Sequence, residues 1–189
     1  MDKKIKKNLI LDLDETLISA VSEEEYNPKK HDKKKAKFRF KYMDSYYTVF
    51  YRPGLDKFLR YIFKNFNVSV FTAASKDYAL FIIENIVLEE KDRELDYIFF
   101  SYHCDISKKI KNGIKDLSIL WDVYKLDGYN RYNTIIIDDN PDVKKTGYCI
   151  QVPEFNFFDR GSEKDDYLDK LIDILEDYKN FPEDQEFTV

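Results

Sequence analysis

The sequence predicts an α/β fold, a Rossmann-like parallel sheet with helices on both faces, no large cap domain and one small β-hairpin insertion. Three observations carry this prediction. Short, near-continuously apolar runs alternate with segments of helical period, as strands buried on both faces of a parallel sheet do. Two of these runs end in paired acids, Asp12 with Asp14 and Asp138 with Asp139, and ligands of such sheets sit beyond the carboxyl ends of the strands. The 189 residues suffice for one well-cored domain, 1–189, and are too few for two comfortable ones.

In chain order, Asn8 to Leu13 is an apolar run too short for a helix, so it reads as a buried strand. Residues 20–37 are polar and rich in Lys and Glu, which predicts a flexible loop. Alternation from Phe38 to Tyr42, a turn at 43–45 and a β-rich run from Tyr46 to Tyr51 predict a hairpin. Charged loop and hairpin together make an insertion at about 20–51. Pro53 suits the first position of a helix. Leu55, Phe58, Leu59, Ile62 and Phe63 then share one face of it.

Val68 to Phe71 is a second buried strand, followed by a helix from about Lys76 to Leu88. Ile98 and Phe99 mark a short strand, and Leu117, Leu120, Trp121 and Tyr124 mark another helix. Thr134 to Ile137 and Tyr148 to Val152 are the remaining strands. Leu168, Leu171, Ile172 and Leu175 define the closing helix.

A hydrophobic fraction of 43% with only five Gly and five Pro argues against disorder. The net charge of −5 gives no footprint for nucleic acid, which is not expected as a partner. Charge is nevertheless uneven. Lys3, Lys4, Lys6 and Lys7 open the chain, and Lys29, Lys30, Lys33, Lys34, Lys35 and Lys37 crowd one loop, while 163–184 is acidic. The lysines read as a solvated run or as a basic rim for an acidic or phosphorylated partner. Cys104 and Cys149 form no disulfide framework and suit a reducing compartment. No run approaches the ~20 apolar residues of a membrane span, so an intracellular soluble protein without a membrane partner is expected.

The chemistry concentrates at strand ends. Asp12 and Asp14, two apart in extended chain, point the same way. Crowding them is costly unless a cation neutralises them or one is protonated. Asp138 and Asp139, followed by Asn140, bring further negative charge to the same edge. Hard oxygen donors of this kind suit Mg²⁺. A lone DxD reads equally well as a solvated turn, and Lys115 by itself as an exposed lysine. His31 and His103 lie too far apart in sequence to offer metal-site spacing.

Six ordered pieces decide between these readings: LDLDETL at 11–17, YRPGLDKFL at 51–59, VFTAASKDYA at 70–79, IKDLSIL at 114–120, IIIDDNPDV at 135–143 and YCIQVPEF at 148–155. Together they resemble the haloacid dehalogenase superfamily, and within it the FCP/SCP-type phosphatases that act on the RNA polymerase II C-terminal domain and related phosphoproteins. The resemblance implies the haloacid dehalogenase fold and a Mg²⁺-dependent protein serine/threonine phosphatase, in nucleus or cytoplasm, acting on a phosphorylated protein or peptide.

It assigns Asp12 as the nucleophile that becomes an aspartyl-phosphate and Asp14 as general acid and base. It assigns Asp12, the Asp14 carbonyl and Asp139 as Mg²⁺ ligands, and Thr72, Ala73 and Lys115 as the phosphate site. Thr16 would orient Asp14, and Asp138 and Asn140 would support the site. The chain departs from the family at Ser19, where a His is common, and at Ala74, where a Ser is frequent. A catalytically silent phosphopeptide-binding or scaffold relative is the alternative, as is a phosphatase for nucleic-acid ends or small phosphate esters.

Overall fold

The computed structural model describes residues 6–188. Of the N-terminal lysines, Lys3 and Lys4 lie outside them. Five parallel strands form the main sheet: β1 (Asn8–Leu11), β5 (Asn67–Phe71), β6 (Ile98–Phe99), β7 (Thr134–Asp138) and β8 (Cys149–Gln151). Their spatial order is β6-β5-β1-β7-β8. The chain therefore builds outward from β1 in both directions, and the strand order reverses beside it. Register sets Leu11 beside both Val70 and Ile137, so three strands end level at the same edge.

Side chains alternate across the sheet and supply two cores. Leu9, Leu11, Val68, Val70, Ile135 and Ile137 face one layer, made by α2 (Leu55–Asn65), α3 (Lys76–Ile82) and α7 (Tyr167–Asn180). Ile10, Phe71 and Ile136 face the other, with α4 (Ser101–Lys111), α5 (Ser118–Asp122) and α6 (Pro141–Lys144). Each such buried aliphatic or aromatic side chain stabilises the fold by about 1.5–3 kcal/mol. The expected α/β fold with helices on both faces is what the chain adopts.

The insertion differs from expectation in detail. Residues 20–37 are not a loop: β2 (Ile18–Ser22) pairs antiparallel with β4 (Tyr47–Tyr51), and β3 (Phe40–Met43) completes a three-stranded sheet. The lysine run forms α1 (Pro28–Lys35), which starts on Pro28 and buries no residue of its own. Its anchor is aromatic, with the His31 ring 5.0 Å from Phe158 and 6.1 Å from Phe157. Phe157 in turn stacks on Phe50 at 3.8 Å, in a third small core with Phe38 and Phe155.

Two boundaries also move. Pro53 does not start a helix but precedes it in a type II turn, where the Leu55 N–H donates to the Arg52 carbonyl at 3.1 Å. Gly54 takes the left-handed position of that turn at φ 83°. The helix expected to run to Leu88 is α-helical only to Ile82 and finishes as a π-helical turn over Ile83–Val87. Among the described residues, no helix is long and apolar enough to cross a membrane.

Candidate active site

Asp12, Thr72 and Asp138 stand at the ends of the three central strands, and all three side chains are buried. Behind Asp12 the chain doubles back tightly: the Leu17 N–H donates to the Leu13 carbonyl at 2.9 Å, and Glu15 adopts a left-handed φ of 59°. This turn lifts Thr16 up beside the acids. Its hydroxyl proton is shared between Asp12 Oδ2 at 3.2 Å and Asp139 Oδ1 at 2.9 Å, and its oxygen accepts the Asp139 N–H at 3.2 Å.

Lys115 comes from the loop between α4 and α5, also in left-handed backbone at φ 51°. A non-glycine residue in that region persists only where its surroundings hold it. Here the restraint is ionic. Lys115 Nζ donates to Asp12 Oδ1 at 2.6 Å and to Asp138 Oδ2 at 2.7 Å, with 4% of its side chain exposed. Asp138 Oδ1 accepts the Asn140 N–H at 2.9 Å, so both Asp138 oxygens are engaged. Thr72 Oγ1 accepts the Ala74 N–H at 3.0 Å, which leaves the hydroxyl proton to point at an anion.

One ammonium cannot neutralise this many carboxylates. Burial raises the Asp12 pKa to about 7 despite Lys115, with Asp138 pushing in the same direction. Burial likewise raises the pKa values of Asp138 and Asp14. Burial opposes the charge on Lys115, but Asp12 and Asp138 outweigh it and its pKa rises. The site is short of positive charge. Asp12, Asp138 and Asp139 each bring a carboxylate oxygen within 4.8 Å of the others, close enough to hold one metal ion. A hard divalent cation fits this donor set. Asp12 and Asp139 have acceptor capacity left for it, whereas Asp138 is taken up by Lys115 and Asn140.

A cavity of about 160 Å³ opens over these groups, lined by Asp12, Asp14, Thr72, Ala73, Lys115 and Asp139 among others. The sequence-predicted site residues thus meet in one place, with Asn140 at its margin. A family profile described as NLI interacting factor-like phosphatase matches residues 7–186. The chain belongs to this family.

Among its relatives, CTD phosphatase-like protein 355R of Invertebrate iridescent virus 6 is 41% identical over 181 residues, which cover 92% of this chain and 100% of the viral one. The 355R protein of Invertebrate iridescent virus 3 is 36% identical over 188 residues, 95% of this chain and 100% of that protein. Fission yeast RNA polymerase II CTD phosphatase Fcp1 with beryllium fluoride bound shares the fold, with a TM-score of 0.53 and 17% identity. That match covers 92% of this chain and 52% of the yeast one. The haloacid dehalogenase fold and the FCP/SCP-type family are thereby borne out.

Sequence reasoning missed two side chains of this NLI interacting factor-like phosphatase. The Tyr78 hydroxyl, from α3, donates to Asp14 Oδ1, and Tyr47 of the insertion packs edge-on against the Tyr78 ring at 5.9 Å. Burial and Asp14 both raise the Tyr78 pKa, which keeps it a donor. Thr16 was expected to orient Asp14; its hydroxyl instead binds Asp12 and Asp139, and Asp14 is held by Tyr78. Arg52 is the second: its Nη1 donates to the Thr16 carbonyl at 2.9 Å and to the Pro153 carbonyl at 3.0 Å. Ser19 is occupied structurally, its hydroxyl accepting the Phe157 N–H at 3.0 Å.

Proposed function

We propose that this chain is a Mg²⁺-dependent phosphoprotein phosphatase that hydrolyses phosphoserine or phosphothreonine through an aspartyl-phosphate on Asp12. The observation that supports it most is the buried Asp12–Lys115–Asp138 cluster on the floor of a small cavity, with Asp14 beside it and the Thr72 hydroxyl proton free.

The Asp12 carboxylate attacks phosphorus in line, and the seryl or threonyl oxygen departs with a proton from Asp14. Asp14, now a carboxylate, takes a proton from the water that attacks the acyl-phosphate. Inorganic phosphate leaves and Asp12 is restored. Lys115 and the Thr72 hydroxyl hold the phosphoryl oxygens, placed where charge develops. Asp12, the Asp14 carbonyl and Asp139 would hold Mg²⁺, whose charge lets an anionic nucleophile meet an anionic phosphate.

Among the described residues no separate cap covers the cleft, and the insertion is the small three-stranded sheet with α1. A bulky phosphorylated side chain can therefore enter, and the CTD in the names of the viral relatives, read with that of yeast Fcp1, points to the RNA polymerase II C-terminal domain as one such substrate. The direct test is hydrolysis of para-nitrophenyl phosphate, of phosphoserine peptides and of sugar phosphates, with Mg²⁺ and with EDTA. Metal-dependent turnover of both, with peptides preferred over sugar phosphates, is expected. Turnover of sugar phosphates far better than peptides would remove the protein substrate, and no turnover of either by folded protein would remove the enzyme.

A further inference from the structure

A cleft of about 530 Å³ adjoins the catalytic cavity. Ile114 and Asn140 line both, so the two form one trough divided at these residues. Asn140 is fixed in that divide, its Oδ1 accepting the Asp142 N–H at 2.9 Å and its own N–H bound to Asp138. The catalytic cavity, at about 160 Å³, is small beside the roughly 300–1,000 Å³ of a typical ligand pocket. It suits a phosphoryl group and the side chain carrying it, and the substrate's neighbouring groups must lie beyond it.

The neighbouring cleft is walled by Lys108 and Lys111 at the end of α4 and by Lys145 just past α6. Its two acids are Asp116 and Asp142. Asp116 Oδ1 accepts the Ser118 N–H at 2.9 Å, and Asp142 pairs with Lys145. Lys111 pairs with Asp122, outside the cleft. Lys108 is exposed and has no carboxylate within ion-pair distance among the described residues. The chain as a whole carries −5, so lysines gathered beside a phosphate-handling cavity single out this end of the trough.

We propose that this cleft is a second anion subsite, taking a phosphate or carboxylate carried by the substrate within a few residues of the phosphoserine. This rests on the phosphatase reading and narrows its substrate class to phosphopeptides with an acidic or doubly phosphorylated flank. Exposed charges of this kind act on encounter and affinity rather than on the chemical step.

The test is binding of labelled phosphoserine peptides, by fluorescence anisotropy with Mg²⁺ at low salt, to the Asp12→Asn protein. The peptides carry alanine, lysine, glutamate or a second phosphoserine at one to four residues from the first. Glutamate or phosphoserine flanks are expected to tighten binding about fivefold over alanine, and lysine to weaken it. Added Lys108→Glu and Lys145→Glu changes, both at exposed positions, should abolish or invert that order while leaving the thermal melt in place.

Equal affinity for all peptides, absence of binding, or an order unchanged by the two reversals would overturn the subsite. Wild-type turnover of para-nitrophenyl phosphate, measured alongside, reads the phosphatase assignment separately. Turnover without charge preference removes the subsite alone, and charge preference without turnover removes the phosphatase alone.

Discussion

Arg52 and Lys115 are both withdrawn from water, and their surroundings differ. Arg52, with no exposed side-chain surface, meets Asp165 through two parallel hydrogen bonds of 2.8 and 3.0 Å and gives both Nη1 protons to backbone carbonyls. One cation faces one carboxylate, and the fork geometry of the guanidinium is filled. Lys115 meets two carboxylates at once, with Asp139 held against the same Thr16 hydroxyl as Asp12. The Arg52 cluster is closed and balanced, and it ties the Thr16 turn to the segments at Pro153 and Asp165. The Lys115 cluster is left with excess negative charge. That imbalance is costly to the fold and is what a divalent cation would relieve, before an anionic phosphoryl group enters.

The strongest way to break the contrast is Lys115→Met. Turnover should fall about 10³-fold, because the phosphoryl group loses its fixed positive charge. The metal-free protein should lose about 3–5 kcal/mol, because buried carboxylates lose their partner. Arg52→Met should cost a similar 3–5 kcal/mol in a denaturant melt. In the fraction that folds, kcat should drop less than about tenfold, since Arg52 reaches the acids only through the Thr16 carbonyl. A loss of activity in Arg52→Met equal to that in Lys115→Met would erase the distinction between the two clusters.

Thr16→Val sharpens it. Losing the hydroxyl that joins Asp12 to Asp139 should raise the Mg²⁺ concentration for half-activation about 10–100-fold. Tyr78→Phe removes the hydrogen bond that fixes Asp14 Oδ1. Hydrolysis of phosphoserine, with its poor leaving group, should slow about 3–10-fold while para-nitrophenyl phosphate changes little, because only the former needs the proton from Asp14. Equal slowing of both would leave Tyr78 a merely structural residue.

The smallest effect is one of pH on the metal-free protein. The Asp12 pKa is raised from 3.8 to about 7, so the fold favours the protonated acid. Its stabilising contribution is complete below the unfolded value and is lost as pH rises through about 7. Without metal, Asp12→Asn should therefore melt above wild type by about 2–4 °C at pH 8 and by less at pH 5. Saturating Mg²⁺ should reverse the order at pH 8.

What could be read from the sequence follows the same division. Asp12, Asp14, Asp138 and Asp139 were legible because each sits in a short motif at the end of an apolar strand, where local chemistry and topology coincide. Tyr78 was not, because its bond to Asp14 spans 64 residues and its ring position is fixed by Tyr47 on another sheet. Arg52 lay in a recognised motif, yet its carboxylate is 113 residues away in a stretch with no pattern of its own. Helix α4 buries only Cys104 and Ser107 and leaves Tyr102 and Ile110 exposed, so no core-facing apolar stripe marks it. Helix α1 buries nothing, and aromatic contacts from Phe157 and Phe158 hold it where composition suggested a loop.

The most direct test of the central claim is to look for the covalent intermediate itself. Protein mixed with excess phosphoserine peptide and Mg²⁺, quenched in acid within a turnover and digested, should carry a phosphoryl group on Asp12 by mass spectrometry. The adduct should be absent with EDTA and in Asp12→Asn. Turnover that proceeds with Asp12 unmodified, or that survives Asp12→Asn, would contradict a nucleophilic role for this carboxylate.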